Sequence, residues 1–146
     1  MKKFLIMLSV IMILTGCREK NINCEINIKE KNISSNVFVN GIFDNDKLIK
    51  QSIKISFDLS EYLEYADIDT YYENFKNEYS SYDNVEGILL DISKNDNNII
   101  INIQIDLEKI DPETYKKLDF GNGNVIVSSK VFEKEFVDMG FTCKNE

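Results

Sequence analysis

A chain of 146 residues has the length of one domain, and with 43% apolar residues it can bury a core. It contains no His, which excludes Ser-His-Asp triads, Cys-His pairs and every His-ligated metal site. The formal charge is −8, and of 17 basic residues only Arg18 is an arginine, a poor match to the phosphate backbone of nucleic acid.

The N-terminus reads as an address. Lys2 and Lys3 form a positive n-region, and Phe4 to Leu14 are apolar except for Ser9. A spanning helix needs about 20 apolar residues, so this run has the length of a signal-peptide core and not of a permanent anchor. No Ala-x-Ala cleavage site follows it, since the only Ala in the chain is Ala66. Leu14-Thr15-Gly16-Cys17 stands there instead and resembles the lipobox of bacterial lipoproteins. In that motif small residues admit the peptidase, and the Cys thiol takes a diacylglyceryl group before cleavage. Residues 1–16 are therefore expected to be a lipoprotein signal peptide, Cys17 the lipidation site, residues 17–23 a lipidated tether and residues 24–146 the domain. The protein is expected on the extracytoplasmic face of the cell membrane. Two or more acyl chains hold such a protein, at ~0.8 kcal/mol per buried methylene. The acidic body gains nothing from anionic headgroups.

Lipid on Cys17 leaves Cys24 and Cys143 of the three cysteines. Outside the cytoplasm such a pair can oxidise, so a Cys24–Cys143 disulfide is expected. Neither a Cys-x-x-Cys pair nor a zinc spacing is present, and no metal ligation by sulfur is expected.

Within the domain the first apolar period is two. Ile22, Cys24, Ile26 and Ile28 alternate with polar neighbours as in a half-buried strand. Phe38–Phe43 and Ile49–Phe57 flank Asp44-Asn45-Asp46-Lys47, a turn composition, and read as a hairpin in which Ile49, Ile53, Ile55 and Phe57 share one face. The period then becomes helical. Ile68, Tyr72, Phe75, Tyr79 and Tyr82 form a stripe, with Asp67 as N-cap. Ile88, Leu90 and Ile92, then Ile99, Ile101, Ile103 and Ile105, make a second hairpin around Asn95-Asp96-Asn97-Asn98. Asp111-Pro112 opens a short helix through Leu118. Ser128 or Ser129 caps a last helix carrying Phe132, Phe136 and Met139, with Gly140 after its end. Phe141-Thr142-Cys143 then runs back toward the first strand. The order β-β-β-α-β-β-α-α predicts an α+β two-layer sandwich: a mainly antiparallel sheet of two hairpins plus an N-terminal strand, with helices packed on one face.

The lipobox, a strand begun by Cys24, Phe57-Asp58 closing the third strand, Tyr82-x-x-Val85-x-Gly87 before the second hairpin and Gly140-Phe141 before Cys143 occur in that order along the chain. In this the sequence resembles the YehR-like lipoproteins, a family of small bacterial lipoproteins with no established activity. The resemblance implies an α/β two-layer sandwich and attachment to the outer face of the membrane. It carries over no catalytic or ligand-binding residue.

Candidate sites are few. Tyr is an amphipathic contact residue. Tyr72, Tyr79 and Tyr82 belong to the core stripe, whereas Tyr62, Tyr65 and Tyr71 lie off it and are candidates for a binding surface. Asp44, Asp46 and Asp96 read as turn residues, because the EF-hand spacing fails. Gly121-Asn122-Gly123 lacks the Lys-Ser/Thr of a phosphate loop and reads as a turn. Neither metal nor cofactor is expected, and catalysis is not expected either. The reading is a membrane-anchored binding or interaction module with a protein or small-molecule partner. The alternatives are an accessory structural subunit of an envelope assembly and a hydrolase working through paired carboxylates.

Overall fold

The computed structural model describes residues 19–30, 33–61, 63, 67–118 and 127–146. Alternating apolar residues produce strands β1 (Lys20–Glu30), β2 (Ile33–Asp44), β3 (Lys47–Asp58), β4 (Ile88–Asn95), β5 (Asn98–Asp106) and β6 (Thr142–Asn145), with tight turns at β2–β3 and β4–β5. They form one open antiparallel sheet in the order β4-β5-β3-β2-β1-β6. Helices α1 (Ile68–Glu78), α2 (Pro112–Lys116) and α3 (Ser129–Asp138) lie on one side of it, so the fold is α+β as the period changes predict. No helix among the described residues is long and apolar enough to cross a membrane.

The β2–β3 connection is a two-residue turn with Asn45 at φ 49° and Asp46 at φ 64°. Paired positive φ angles are what a type I′ hairpin requires, and Asn and Asp tolerate them best after Gly. Next to it the register shifts between Ile42 and Phe43, so that Phe43 faces Leu48 and Ile42 faces Lys50. The bulge leaves Ile49 over and reverses the parity of the strand end. Leu48 therefore fills the core in place of Ile49, which is only half-buried. Farther along, Ile53 lies between Val39 and Ile103, and Ile103 faces Leu90. This row, with Ile99, Ile101 and Ile105, forms the floor of the core.

Three expectations shift. Lys20–Asn23, expected as tether, are already strand, and Ile22 is fully buried, because β6 supplies a second partner for that end of β1. Thr142–Asn145 form a sixth strand where five were expected. The helix stripe ends as α-helix at Glu78 and continues as a 3₁₀ turn over Tyr79–Tyr82, while the short helix stops at Lys116 instead of Leu118.

The caps are the expected ones. Asp67 Oδ1 accepts from Thr70 N at 2.9 Å, Asp111 Oδ2 from Thr114 N at 2.8 Å and Ser128 Oγ from Val131 N at 3.3 Å. The helix-bound stripe packs without full burial: Phe75 stacks on Phe57 with centroids 4.8 Å apart, and Lys76 and Lys94 each stand 5.2 Å from the Tyr72 ring. Gly87, at φ +85°, has no room for a side chain, since a Cβ there would lie 2.6 Å from the Ile110 nitrogen. That close approach accounts for the Gly of the Tyr82-x-x-Val85-x-Gly87 motif.

Asn21 and Glu146 exchange both backbone hydrogen bonds, which makes Cys24 and Cys143, three steps along the same ladder, a non-hydrogen-bonded pair. Opposed Cα atoms approach most closely at such pairs. There the structure contains the expected Cys24–Cys143 disulfide, with Cys24 fully buried.

Candidate ligand cavity

A cavity of about 550 Å³ opens between the sheet and α3. Val37, Val39, Ile53 and Ile55 of β2 and β3 form its floor, and Phe132, Phe136, Met139 and Phe141 form the opposite wall. Its size lies within the usual range for small-molecule pockets, roughly 300–1,000 Å³.

The wall is built by the end of α3. Ser128 and Asp46 cap the other end, Asp46 Oδ1 accepting from Ser129 N at 2.9 Å. The bond from the Ser129 hydroxyl, and second the one from Ser129 N, hold the Asp46 carboxyl below its ordinary pKa, and Lys20 donates to Ser129 Oγ at 3.0 Å. The hairpin turn, β1 and α3 are thus tied at one point. Asp44 and Asp46 serve this junction and the turn, and the described residues hold no cluster of three or more potential metal ligands.

At the far end Gly140, at φ +94°, closes the helix. Phe141 N donates to Phe136 O and Gly140 N to Val137 O, both at 2.9 Å, which is the Schellman bond pair. The accompanying apolar contact is Phe136 against Phe141, edge-on with centroids 5.0 Å apart. The Gly140-Phe141 motif therefore sets the aromatic wall. Farther up the helix, Phe132 meets Phe43 edge-on at 5.4 Å above Gly41, where a Cβ would come within 2.9 Å of both rings.

Two polar side chains reach the cavity from the core. Gln51 occupies an inward position of β3 and is 3% exposed. The five-residue α2 has the buried Tyr115 as its inward residue, and the Tyr115 hydroxyl donates to Gln51 Oε1 at 3.2 Å. Burial, and second the nearby Glu135 carboxylate, push the Tyr115 phenol above its ordinary pKa, so it stays a neutral donor at physiological pH. Glu135 and Asp138 bring two carboxylates to the helix side of the cavity. With these groups the cavity can hold an apolar body and orient one polar end.

Of the candidates from sequence, Tyr71 is half-buried, packs against the core and does not line the cavity. Tyr62 and Tyr65 lie outside the described residues, as do Cys17 and Gly121-Asn122-Gly123. Gln51 and Tyr115 were missed as a pair. The one available signal was a Gln at inward parity between Ile49 and Ile53.

Two solved structures place this arrangement among known folds. The NMR structure of the E. coli YehR protein superposes with a TM-score of 0.62 at 15% identity, covering 88% of this chain and 93% of that one. The fold is YehR-like. An NMR structure of a protein from Streptococcus pneumoniae TIGR4 superposes with a TM-score of 0.61 at 9% identity, over 88% of this chain and 87% of that one. No family model matches the sequence, and no curated protein matches it.

Proposed function

We propose that this chain is an extracytoplasmic lipoprotein, anchored by a diacylglyceryl group on Cys17, whose two-layer α+β domain binds a small molecule between the sheet and α3. The cavity of about 550 Å³ carries the reading: apolar walls that converge on a few polar groups are the ordinary form of a small-molecule site. The leader and the Leu14-Thr15-Gly16-Cys17 motif support the anchor, and an oxidising compartment suits the Cys24–Cys143 bond.

Native mass spectrometry of the full chain extracted from membranes of its own cells tests the binding function. A bound small molecule is expected on the wild type and is expected to be missing from Val37→Phe, which fills the floor of the cavity. Identical spectra from the two proteins would overturn it.

A further inference from the structure

We propose that the cavity takes an uncharged amphiphile, with a flexible apolar body between the Val/Ile floor and the Phe136–Phe141 wall and a single hydroxyl or carbonyl group at the Gln51–Tyr115 pair. The inference rests on the small-molecule reading above and adds the chemical class of the ligand. Three observations select it.

The first is the composition of the walls. Floor and wall are aliphatic or aromatic, and Met139 at the mouth is 59% exposed. Such surfaces bind by removal of apolar area from water, which suits an alkyl body.

The second is the Gln51–Tyr115 pair. Gln51 is 97% removed from solvent as a residue, at 3% exposure, yet it lines the cavity. Its Oε1 accepts from the Tyr115 hydroxyl at 3.2 Å, which leaves the amide NH₂ as a donor to the cavity and the phenol oxygen as an acceptor. A hydroxyl can use both, and a carbonyl can use the NH₂. A purely hydrocarbon ligand would use neither.

The third is the want of a counter-charge. Glu135 and the Lys134-paired Asp138 stand on the helix side of the cavity, and among the described residues no cationic side chain lines it. A carboxylate or phosphate headgroup entering there would leave water without a cation to pair with, a cost of the kind that specificity is built on. Free fatty acids are thereby disfavoured against their alcohols.

The test uses the full chain with the uncharged dye Nile red as reporter and Val37→Phe as the blank. Dye adsorbed on the N-terminal apolar run is common to both proteins and cancels. Met139→Trp, at an exposed position on the opposite wall, serves as a second filled variant should Val37→Phe not fold. Wild type is expected to bind the dye more than tenfold better than either filled variant. At pH 8, 1-dodecanol is expected to displace it at concentrations at least tenfold below those needed with dodecanoate. In the double variant Gln51→Leu/Tyr115→Phe, which removes both polar groups without stranding one of them, dodecanol is expected to weaken about fivefold or more while the dye changes less than twofold. Equal dye binding by wild type and filled variants overturns the binding reading itself. Cavity-specific dye binding with dodecanoate as good as dodecanol overturns only the ligand class. A dodecanol affinity unmoved in the double variant overturns the role of the Gln51–Tyr115 pair.

Discussion

Reduction of the Cys24–Cys143 bond separates two effects that the structure joins at one edge of the sheet. The bond closes a loop across a sequence separation of 119, the greater part of the domain. The chain-entropy relation gives about 5 kcal/mol for a loop of that length, as a ceiling, and native disulfides in small secreted domains typically contribute about 2–5 kcal/mol. At roughly 4 °C per kcal/mol for a domain of this size, reduction is expected to lower Tm by about 8–20 °C. The sheet should remain, because β1 keeps its full register with β2 and Cys24 stays buried as a thiol. β6 should not fare as well. It is four residues long and, among the described residues, pairs only with β1, from Ile22–Asn145 to Glu25–Thr142. The assay is a circular-dichroism melt of the full chain in a Cys17→Ser background, oxidised and with phosphine reductant, with thiols titrated at the end. Amide exchange is followed over residues 142–145. A Tm change below about 2 °C with two thiols measured as free would refute the argument, as would unchanged protection of β6.

Ile103 is fully buried between Ile53 and Leu90, so Ile103→Val should cost about 1 kcal/mol and Ile103→Asp should abolish the folded state, read by urea denaturation; comparable midpoints for the two would sink the assigned register. The Asp111 carboxyl is held below its ordinary value of 3.8 by the hydrogen bonds from Thr114. A depressed folded pKa gives stability that is present above the unfolded value and lost as pH falls through the folded one, so Tm between pH 5 and 2.5 should fall less steeply in Asp111→Asn than in wild type. Parallel curves would show that this cap contributes nothing to the acid limb. Cys17→Ser should leave an unprocessed precursor that takes up no labelled fatty acid, and a cleaved, labelled variant would remove the lipobox reading.

Much of the fold was legible in the residues themselves, and the reasons differ by element. β5 alternates Ile99, Ile101, Ile103 and Ile105 with polar neighbours because only one face of the sheet is covered, and such a pattern admits one register. Asp67 and Asp111 were identifiable as caps, and the third was narrowed to Ser128 or Ser129, because a cap is a local device that needs only its own helix. β6 was not identifiable, since Thr142–Asn145 is too short to show a period and is a strand only through its pairing with β1. The bulge that exchanges Ile49 for Leu48 is likewise a property of two strands together. The cavity was the least legible feature. Gln51 and Tyr115 are 64 residues apart, and each alone reads as an exception to its surroundings until the hydrogen bond between them is seen.

The place of β6 has a consequence for the order in which the molecule is made. Synthesis delivers β1 first and β6 last, yet these two strands are neighbours at one side of the sheet. Until Thr142–Asn145 emerge, the outer rim of β1 offers a row of unpaired amides and carbonyls to any extended chain nearby. Pairing across so large a separation is slow, because the entropy of closing the loop is lost before any contact rewards it. The nascent domain thus passes through an interval in which β2–β3 and β4–β5, whose connections are local, can already be formed while one flank stays open. Truncation after Gly140 would freeze the protein in that interval, and such a chain is expected to collect in pairs or larger clusters through β1.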